Sequence, residues 1–206
     1  MRVEESTVKK VVISEIVGLD PVTVFLEDIG ARKHKVEGGP NHTSRQGKIT
    51  IECWGESWSA YWGGMGDRTV AQFFDSCNVD YLAGCLRRGT DLDTTMFSGD
   101  ALEAAAKRCI LDCRRGRTSK WECGSLDKDD ARELYDEAEA LSSCETAESL
   151  WHNHDASKVL SALFGDEWHY TVSDKAFIEN PKYAYLCRII SAIKQAFEIP
   201  AETKAA

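Results

Sequence analysis

The hydrophobic pattern changes its period within one stretch of the chain, and this change constrains the fold more than any other feature of the sequence. Between Lys48 and Trp62, on either side of Gly55, apolar side chains recur at every second position. Because successive side chains of a strand point to opposite faces, this alternation predicts two strands with one buried face. Residues 70–77 and 78–86 then follow the helical i, i+3, i+4 spacing. The predicted inward residues of the two strands are Ile49, Ile51, Cys53, Trp58, Ala60 and Trp62.

Two further strands are predicted near the start of the chain. Residues 8–16 and 22–28 are rich in β-branched side chains, and the turn combination Gly18-Leu19-Asp20-Pro21 separates them. Together the four strands predict an antiparallel sheet that the two helices cover on one face. The polar stretch Gly30–Gly47 is predicted to be a mobile loop, and loops of such length are often functional.

The second half of the chain has mainly helical periodicity. Asp100 and Glu103 suit a capping box at the start of one helix, and another helix is predicted over residues 127–143. A further helix is predicted to be interrupted near Asn153. Residues 168–172 are predicted to be a short extended piece.

The final helix has the clearest amphipathic pattern. It begins at Asn180-Pro181, which supply an N-cap and a proline at the first helical position. Its apolar stripe suits internal packing and equally suits a homodimer seam, so both alternatives are open. The stripe comprises Tyr185, Leu186, Ile189, Ile190, Ile193 and Phe197.

These elements predict an α+β fold with an N-terminal four-stranded antiparallel sheet covered by helices, followed by an all-helical C-terminal part. The polar connection at residues 87–97 is the predicted boundary. It gives a sheet-containing part over residues 1–90 and a helical part over residues 98–206, which could also pack together as one globule. A chain of 206 residues can bury a sufficient core without metal or disulfides.

The charge balance bears on partners and location. The chain carries 25 Lys and Arg against 34 Asp and Glu, a net charge of −9. Direct duplex DNA binding is not expected, because it depends on basic side chains that neutralise phosphates, and a protein partner with a basic face is favoured. The sequence shows neither a signal-peptide pattern nor an apolar run of about 18 residues. We therefore expect a cytoplasmic protein with no membrane partner.

Eight cysteines raise the question of disulfides or zinc. The sequence contains no CxxC pair, and most of the cysteines lie beside apolar helical positions, where a thiol behaves as a small hydrophobe. Reduced core cysteines are therefore predicted. Cys109, Cys113 and Cys123 offer an alternative Cys3His zinc site, but the first two share a stripe with Leu102 and Ile110, which favours core packing.

No motif in the sequence predicts catalysis. The string His152-Asn153-His154 has the letters of an HNH nuclease, but its flanks are helical, so a solvated helix break is favoured. A metal site using these histidines with His169 or Cys144 has no specific spacing, and neither has an acid–base pair at Asp91 and Asp93. No catalytic residue, metal or cofactor is assigned, and the protein is not expected to be an enzyme.

Two charged segments and two aromatic residues are candidates for binding. The basic segment follows a predicted helix end, where cations complement the helix dipole or contact nucleic acid. The acidic segment is a predicted helix face, either solvated or bound to a partner. Trp54 and Tyr61 are expected to be exposed if Trp58 and Trp62 face the core, and exposed aromatics often anchor interfaces. If both faces of the sheet are covered, all four are buried, and the sequence leaves both alternatives open. The basic candidates are Arg114, Arg115, Arg117 and Lys120, and the acidic ones are Asp129, Asp130, Glu133, Asp136 and Glu137.

The segment KITIECWGESWSAYWGGMGDRTVAQFFDSCNVDYLAGCL, residues 48–86, resembles proteins of unassigned function from lambda-like tailed phages and prophages of enteric bacteria. The resemblance implies a phage context, in which small non-catalytic proteins often bind host machinery, including defence systems. The leading hypothesis is an accessory protein that binds and modulates or inhibits a host or phage protein. The alternatives are single-strand binding through Arg114, Arg115 and Arg117 with exposed aromatics, and an unrecognised metal-dependent hydrolase.

Overall fold

The computed structural model describes residue 3 and residues 5–34, 42–117 and 126–198. These residues form two compact units. The first contains the described residues up to Leu92 together with those from Pro181 onward, and the second is Asp93–Asn180. The sequence groups residues 98–206 as one helical part, whereas the structure assigns the final helix to the same unit as the sheet. Within the described ranges, no helix has the length and apolar character needed to span a membrane.

The first unit is built on a four-stranded antiparallel sheet, which confirms the α+β prediction. The strands lie side by side in chain order. In the register, Val24 pairs with Ile51 and Ile51 with Trp58, so the apolar faces of neighbouring strands coincide. The strands are β1 (Lys9–Ile13), β2 (Val22–His34), β3 (His42–Cys53) and β4 (Glu56–Trp62).

β2 and β3 are longer than the sequence predicts. Their pairing continues as far as His34 on β2 and His42 on β3. The prediction of a mobile loop over Gly30–Gly47 is therefore wrong where the structure describes it, and residues 35–41 lie outside the described part. Residues 29–33 are all exposed. Because this part of β2 has no buried face, it needs no apolar alternation, and only its polarity is visible in the sequence.

Helices make up most of the remaining described chain, with a second, two-stranded sheet between them. That sheet pairs β5 (Thr95–Phe97) with β6 (Phe177–Glu179) in antiparallel register. The helices are α1 (Val70–Ser76), α2 (Val79–Leu86), α3 (Gly99–Arg114), α4 (Lys128–Glu137), α5 (Ser149–His152), α6 (His154–Phe164), α7 (Trp168–Lys175) and α8 (Pro181–Glu198), with a 3₁₀ helix at Ala138–Leu141.

The core of the first unit lies between one face of the sheet and α1, α2 and α8. Trp58 and Trp62 face this core, as predicted, and are 7% and 6% exposed. At the start of α1, Thr69 is the cap, because its hydroxyl accepts a hydrogen bond from the amide of Gln72. The buried face of the sheet is thus closed by helices, and the opposite face is left to solvent.

The central residues of the α8 stripe are buried within the first unit, and Tyr185 and Phe197 at its two ends are partly buried. Leu186, Ile189, Ile190 and Ile193 all belong to its core and have no exposed surface. The stripe therefore packs internally, which was one of the two alternatives. A homodimer stays a prediction, and it would have to use other residues of the chain.

The second unit has its own core, to which α3 contributes the predicted stripe. Leu102, Ala106 and Ile110 are buried there. The helix begins earlier than the expected capping box at Asp100, because the hydroxyl of Ser98 accepts a hydrogen bond from the amide of Ala101 at 3.1 Å. The predicted stripe is confirmed, and the predicted cap is wrong by about half a turn.

Two features of the second unit contradict the sequence prediction. Residues 168–172, predicted to be extended, belong to α7, and the part expected to be helical over residues 98–206 contains β6, which pairs with β5 in the predicted connection. Trp168 and Val172 lie four positions apart, and both are buried at 3% and 4% exposure. In a strand Tyr170 would share the buried face of these two residues, but it is 68% exposed, as expected on the opposite side of a helix. Tertiary packing therefore overrides the strand preference of aromatic and β-branched residues.

Candidate protein-interaction surfaces

Trp54 occupies the tip of the β3–β4 hairpin. Cys53 and Glu56 are the last paired residues, so Trp54 and Gly55 form a two-residue turn. Both central residues have positive φ angles, 51° for Trp54 and 80° for Gly55. This is the geometry of a type I′ turn, which matches the twist of the flanking strands and normally has Asn or Asp followed by Gly.

Tryptophan is energetically unfavourable at this position of the turn. A residue with a Cβ atom in the left-handed region costs about 1–2 kcal/mol. Burial does not offset the cost, because the side chain is 77% exposed. Neither turn geometry nor core packing accounts for an indole here.

Tyr61 lies on the solvent-facing side of the sheet, as predicted, and is 55% exposed. Its hydroxyl donates a hydrogen bond to Oε1 of Gln46 at 2.9 Å. The surrounding face is polar: Thr50 and Ser59 share a hydrogen bond of 2.9 Å, and the ammonium of Lys10 lies above a phenyl ring. This face is well solvated and is not an apolar docking patch.

The structure does not bring Trp54 and Tyr61 together. Trp54 is at the turn, whereas Tyr61 pairs with Lys48 near the other end of β4. At about 3.4 Å per residue, the five positions from Glu56 to Tyr61 correspond to roughly 17 Å along the strand. An interface of ordinary size, about 800 Å² on each partner, could contact both. Trp54 is the stronger candidate because it is more exposed, at 77% against 55%.

The acidic candidates lie on α4, and they differ in how free their carboxylates are. Glu137 forms an ion pair with Lys158 of α6, which also lies 3.6 Å from Glu133. The hydrogen bond that Lys158 donates to Glu137 is the main reason why the pKa of Lys158 is raised. Glu137 therefore holds two helices together. The other candidates, Asp129, Asp130, Glu133 and Asp136, are exposed.

The basic candidates lie around the C-terminal end of α3. Arg114 is in the last turn, Arg115 is the C-cap, and Arg117 follows Gly116. All three arginines are exposed, and Lys120 lies outside the described residues. Three guanidinium groups at a helix C-terminus are expected from the dipole alone, and they also form a small cationic surface.

The cysteine predictions have a mixed outcome. Cys109 is a buried free thiol, as predicted, and burial raises its pKa from 9.0 to about 11. Its sulfur lies 4.0 Å from that of Cys113. Cys113 is disulfide-bonded, so the prediction of a reduced thiol is wrong at this position. Cys123 lies outside the described part, and among the described residues no three His, Cys, Asp or Glu side chains are grouped as metal ligands.

The segment with the letters of an HNH nuclease is a helix break. Asn153 ends α5 and caps α6, where its side chain accepts a hydrogen bond from the amide of Ala156 at 3.1 Å. His154 is 91% exposed and its Nδ1 lies 3.6 Å from the carboxylate of Asp155. The solvated helix break is therefore confirmed, and Asn153 serves in backbone capping.

A group of aromatic rings in the second unit is absent from the sequence prediction. Trp151 of α5 stacks on Trp168 of α7, with ring centroids 4.5 Å apart. His169 lies 5.8 Å from Trp151 and 4.2 Å from Tyr170. We call Trp151, Trp168, His169 and Tyr170 the aromatic patch. The contiguous run Trp168-His169-Tyr170 was the available signal, but its interpretation as a strand separated it from Trp151.

A cleft of about 590 Å³ opens on the first unit beside the start of β4 and the first turn of α8. Its aromatic wall is formed by Trp58 and Tyr185, whose hydroxyl lies 3.3 Å from the sulfur of Cys53. That contact and burial raise the pKa of Tyr185 to about 12, so this phenol stays protonated near neutral pH. Asp91, an acid–base candidate, is also in the wall. The complete lining is Glu56, Ser57, Trp58, Thr90, Asp91, Leu92, Pro181, Lys182 and Tyr185.

Comparison with known proteins gives one family match for this chain. Residues 1–198 match the family model Phage_phiTE_072, which is described as a phage family. The chain belongs to this phage family. No curated protein and no solved structure matches the phage protein at a significant level. The family match includes both units, so the aromatic patch and the Trp54 turn both lie inside the matched region of this phage protein.

Proposed function

We propose that this phage protein is a non-catalytic accessory protein that binds and modulates or inhibits another protein, of the host or of the phage, with Trp54 as the anchor. The observation that carries the proposal is the exposed indole at a strained turn. Rigid exposed aromatics supply much of the affinity of protein interfaces. A tryptophan that the fold does not bury is well suited to fill a pocket of a partner.

The charge of the chain supports a partner with a basic surface. The exposed carboxylates of α4 add a local negative field to the net charge of −9. Such a field speeds association with a cationic protein, and one class of such partners is a nucleic-acid-processing or defence complex. The resemblance of residues 48–86 to proteins of lambda-like phages favours an enteric host, and we propose that the protein acts in the host cytoplasm.

Affinity capture tests this proposal. Tagged wild-type protein and the variant Trp54→Asn are incubated with host lysate with and without nuclease, and the retained proteins are then purified and titrated singly. We expect one nuclease-resistant partner that binds the wild type with a defined affinity. Loss of the indole should weaken binding at least about tenfold, as expected for an interface hot spot.

Val17→Ala is the matched control, because Val17 is 96% exposed and also belongs to the first unit. This variant should bind as the wild type does. Equal binding by Trp54→Asn and the wild type would contradict the role of Trp54. Retention that disappears with nuclease would contradict a protein partner.

Single-strand nucleic acid binding is the second candidate. Its supporting observation is the exposed cluster of Arg114, Arg115 and Arg117 at the end of α3. Trp54 and Tyr61 belong to the first unit, whereas the arginines belong to the second. Titration with labelled oligonucleotides tests this candidate. Binding that weakens as salt rises, and that weakens when Arg114, Arg115 and Arg117 are all replaced by Glu, would support it. No binding at low salt would exclude it.

A further inference from the structure

The aromatic patch combines exposed rings with a rigid support. Trp151 is 58% exposed and Tyr170 is 68% exposed, while Trp168 beneath Trp151 is only 3% exposed. The planes of the two indoles are tilted by 38°. A buried ring thus fixes the orientation of an exposed one, which reduces the entropy that a ligand would lose by ordering it.

The chain on either side of these rings is acidic. Residues 145–174 contain six carboxylates and one lysine. That lysine, Lys158, is already paired with carboxylates of α4. The backbone amide of Trp151 bonds to the carbonyl of Glu148, and Glu167 directly precedes Trp168. The six are Glu145, Glu148, Asp155, Asp166, Glu167 and Asp174.

Aromatic faces and carboxylates attract the same kind of group. The face of an indole or phenol ring carries negative charge density and binds cations, best of all a planar guanidinium that can stack on it. Carboxylates accept two parallel hydrogen bonds from that group. A nucleic acid strand would also stack on the rings, but its phosphates would be repelled by the carboxylates of this acidic segment.

We propose that the aromatic patch binds an arginine-rich segment of a partner protein. The side chains of Trp151 and Tyr170 receive guanidinium groups, and the neighbouring carboxylates, Glu148 and Glu167 among them, pair with further cations. This goes beyond the proposed function, because it uses the second unit and does not depend on Trp54. The binding roles of Trp54 and of the aromatic patch can therefore be tested independently.

Fluorescence anisotropy with labelled peptides tests the inference on the full chain. The probes are an eight-arginine peptide, an eight-lysine peptide and an oligothymidylate of similar length, titrated at low and moderate salt. We expect the arginine peptide to bind more tightly than the lysine peptide and the oligothymidylate not to bind through this patch. Trp151→Ala and Tyr170→Ala should each weaken arginine-peptide binding by about fivefold or more, as loss of a cation–π contact implies.

Matched controls separate stacking from net charge. Glu148→Lys with Glu167→Lys should abolish most of the binding, whereas Glu5→Lys with Asp75→Lys, the same charge change at exposed positions of the first unit, should lower it only slightly. Trp54→Asn should leave it unchanged. Urea unfolding of each variant shows whether it is folded, and Tyr170→Ala serves if loss of Trp151 disturbs the packing on Trp168.

Three results would overturn the inference. One is equal binding by the wild type and both aromatic variants. Another is an equal loss with either pair of charge reversals, which would indicate an unspecific negative field. The third is displacement of the arginine peptide by the oligothymidylate, which would indicate that the aromatic patch binds nucleic acid.

Discussion

The ammonium group of Lys194 lies 2.6 Å from the carbonyl oxygen of Cys77 and also donates a hydrogen bond to the carbonyl of Asp75. Cys77 is the C-cap of α1, where carbonyl groups lack partners within the helix. A cation on α8 thus satisfies the end of a helix that lies 117 positions earlier in the sequence. The contact joins the final helix to the sheet-containing unit by a polar bond in addition to its apolar stripe.

Replacement of Lys194 by methionine should destabilise the first unit. The change keeps the length of the side chain but removes two hydrogen bonds from a charged donor, so we expect a loss of about 1–2 kcal/mol in the free energy of unfolding. Urea denaturation measures it. Lys48→Met, on the exposed side of β3, is the control and should change stability by less than about 0.5 kcal/mol. Equal losses in both variants would show that general charge loss is responsible.

Alanine substitutions at two glycines should have opposite effects. A Cβ atom at Gly47 would lie 2.1 Å from Cγ2 of Val70 and 2.9 Å from the carbonyl oxygen of Glu27, so β3 and α1 would have to separate. Gly47→Ala should lower the free energy of unfolding by about 1–3 kcal/mol or more. At Gly84, within α2, a Cβ atom would meet nothing within 4 Å. Gly84→Ala should therefore raise the free energy of unfolding by about 0.5–1 kcal/mol. Thermal denaturation of both variants checks the signs, and a destabilised Gly84→Ala would contradict the open space beside α2.

Trp54→Asn should separate stability from binding. Asparagine tolerates the left-handed turn better than tryptophan, so the free energy of unfolding should stay equal or rise by about 0.5–1 kcal/mol while partner binding falls. The buried Trp58 provides the contrast, because Trp58→Ala should cost about 3–5 kcal/mol. A large loss of stability in Trp54→Asn would mean that the indole serves the fold.

The buried thiol of Cys109 should make stability depend on alkaline pH. Because burial raises its pKa from 9.0 to about 11, the folded chain retains the proton in a range where the unfolded chain releases it. The contribution to stability is therefore fully present below pH 9 and is lost as the pH rises through 11. Unfolding in urea between pH 8 and pH 10.5 should show a shallower decline for Cys109→Ala than for the wild type.

Cys144→Ala, which truncates another buried thiol, controls for lost packing in that experiment. If the wild type and Cys109→Ala lose stability in parallel as the pH rises, the thiol of Cys109 is not the group responsible.

Local periodicity predicted the elements that have one buried and one exposed face. β3 and β4 place Ile51 and Trp58 inward because a period of two is read directly from the residues. The start of α8 at Pro181 was predicted from the Asn180-Pro181 cap signal. Periodicity failed for residues 30–33, which are all exposed and show no apolar alternation, and for α7, where an aromatic run has strand propensity but packs as a helix.

The candidate sites were predicted less completely, because a site depends on residues that are distant in sequence. Exposure of Trp54 followed from the inward direction of Trp58, but its positive φ angle became visible only with the turn. The aromatic patch needed α5 and α7 side by side, and neither helix alone indicates that Trp151 meets Trp168.

The sequence by itself determined the α+β class, the shared apolar face of β3 and β4 and the apolar stripes of α3 and α8, because these follow from which side chains avoid water. Only the tertiary structure decided that α8 packs in the core of the sheet-containing unit, that Glu137 pairs with Lys158, and that Trp151 stacks on Trp168. The reason is physical: burial is a property of each residue, whereas contact is a property of pairs, and the pairs are fixed only when the elements pack.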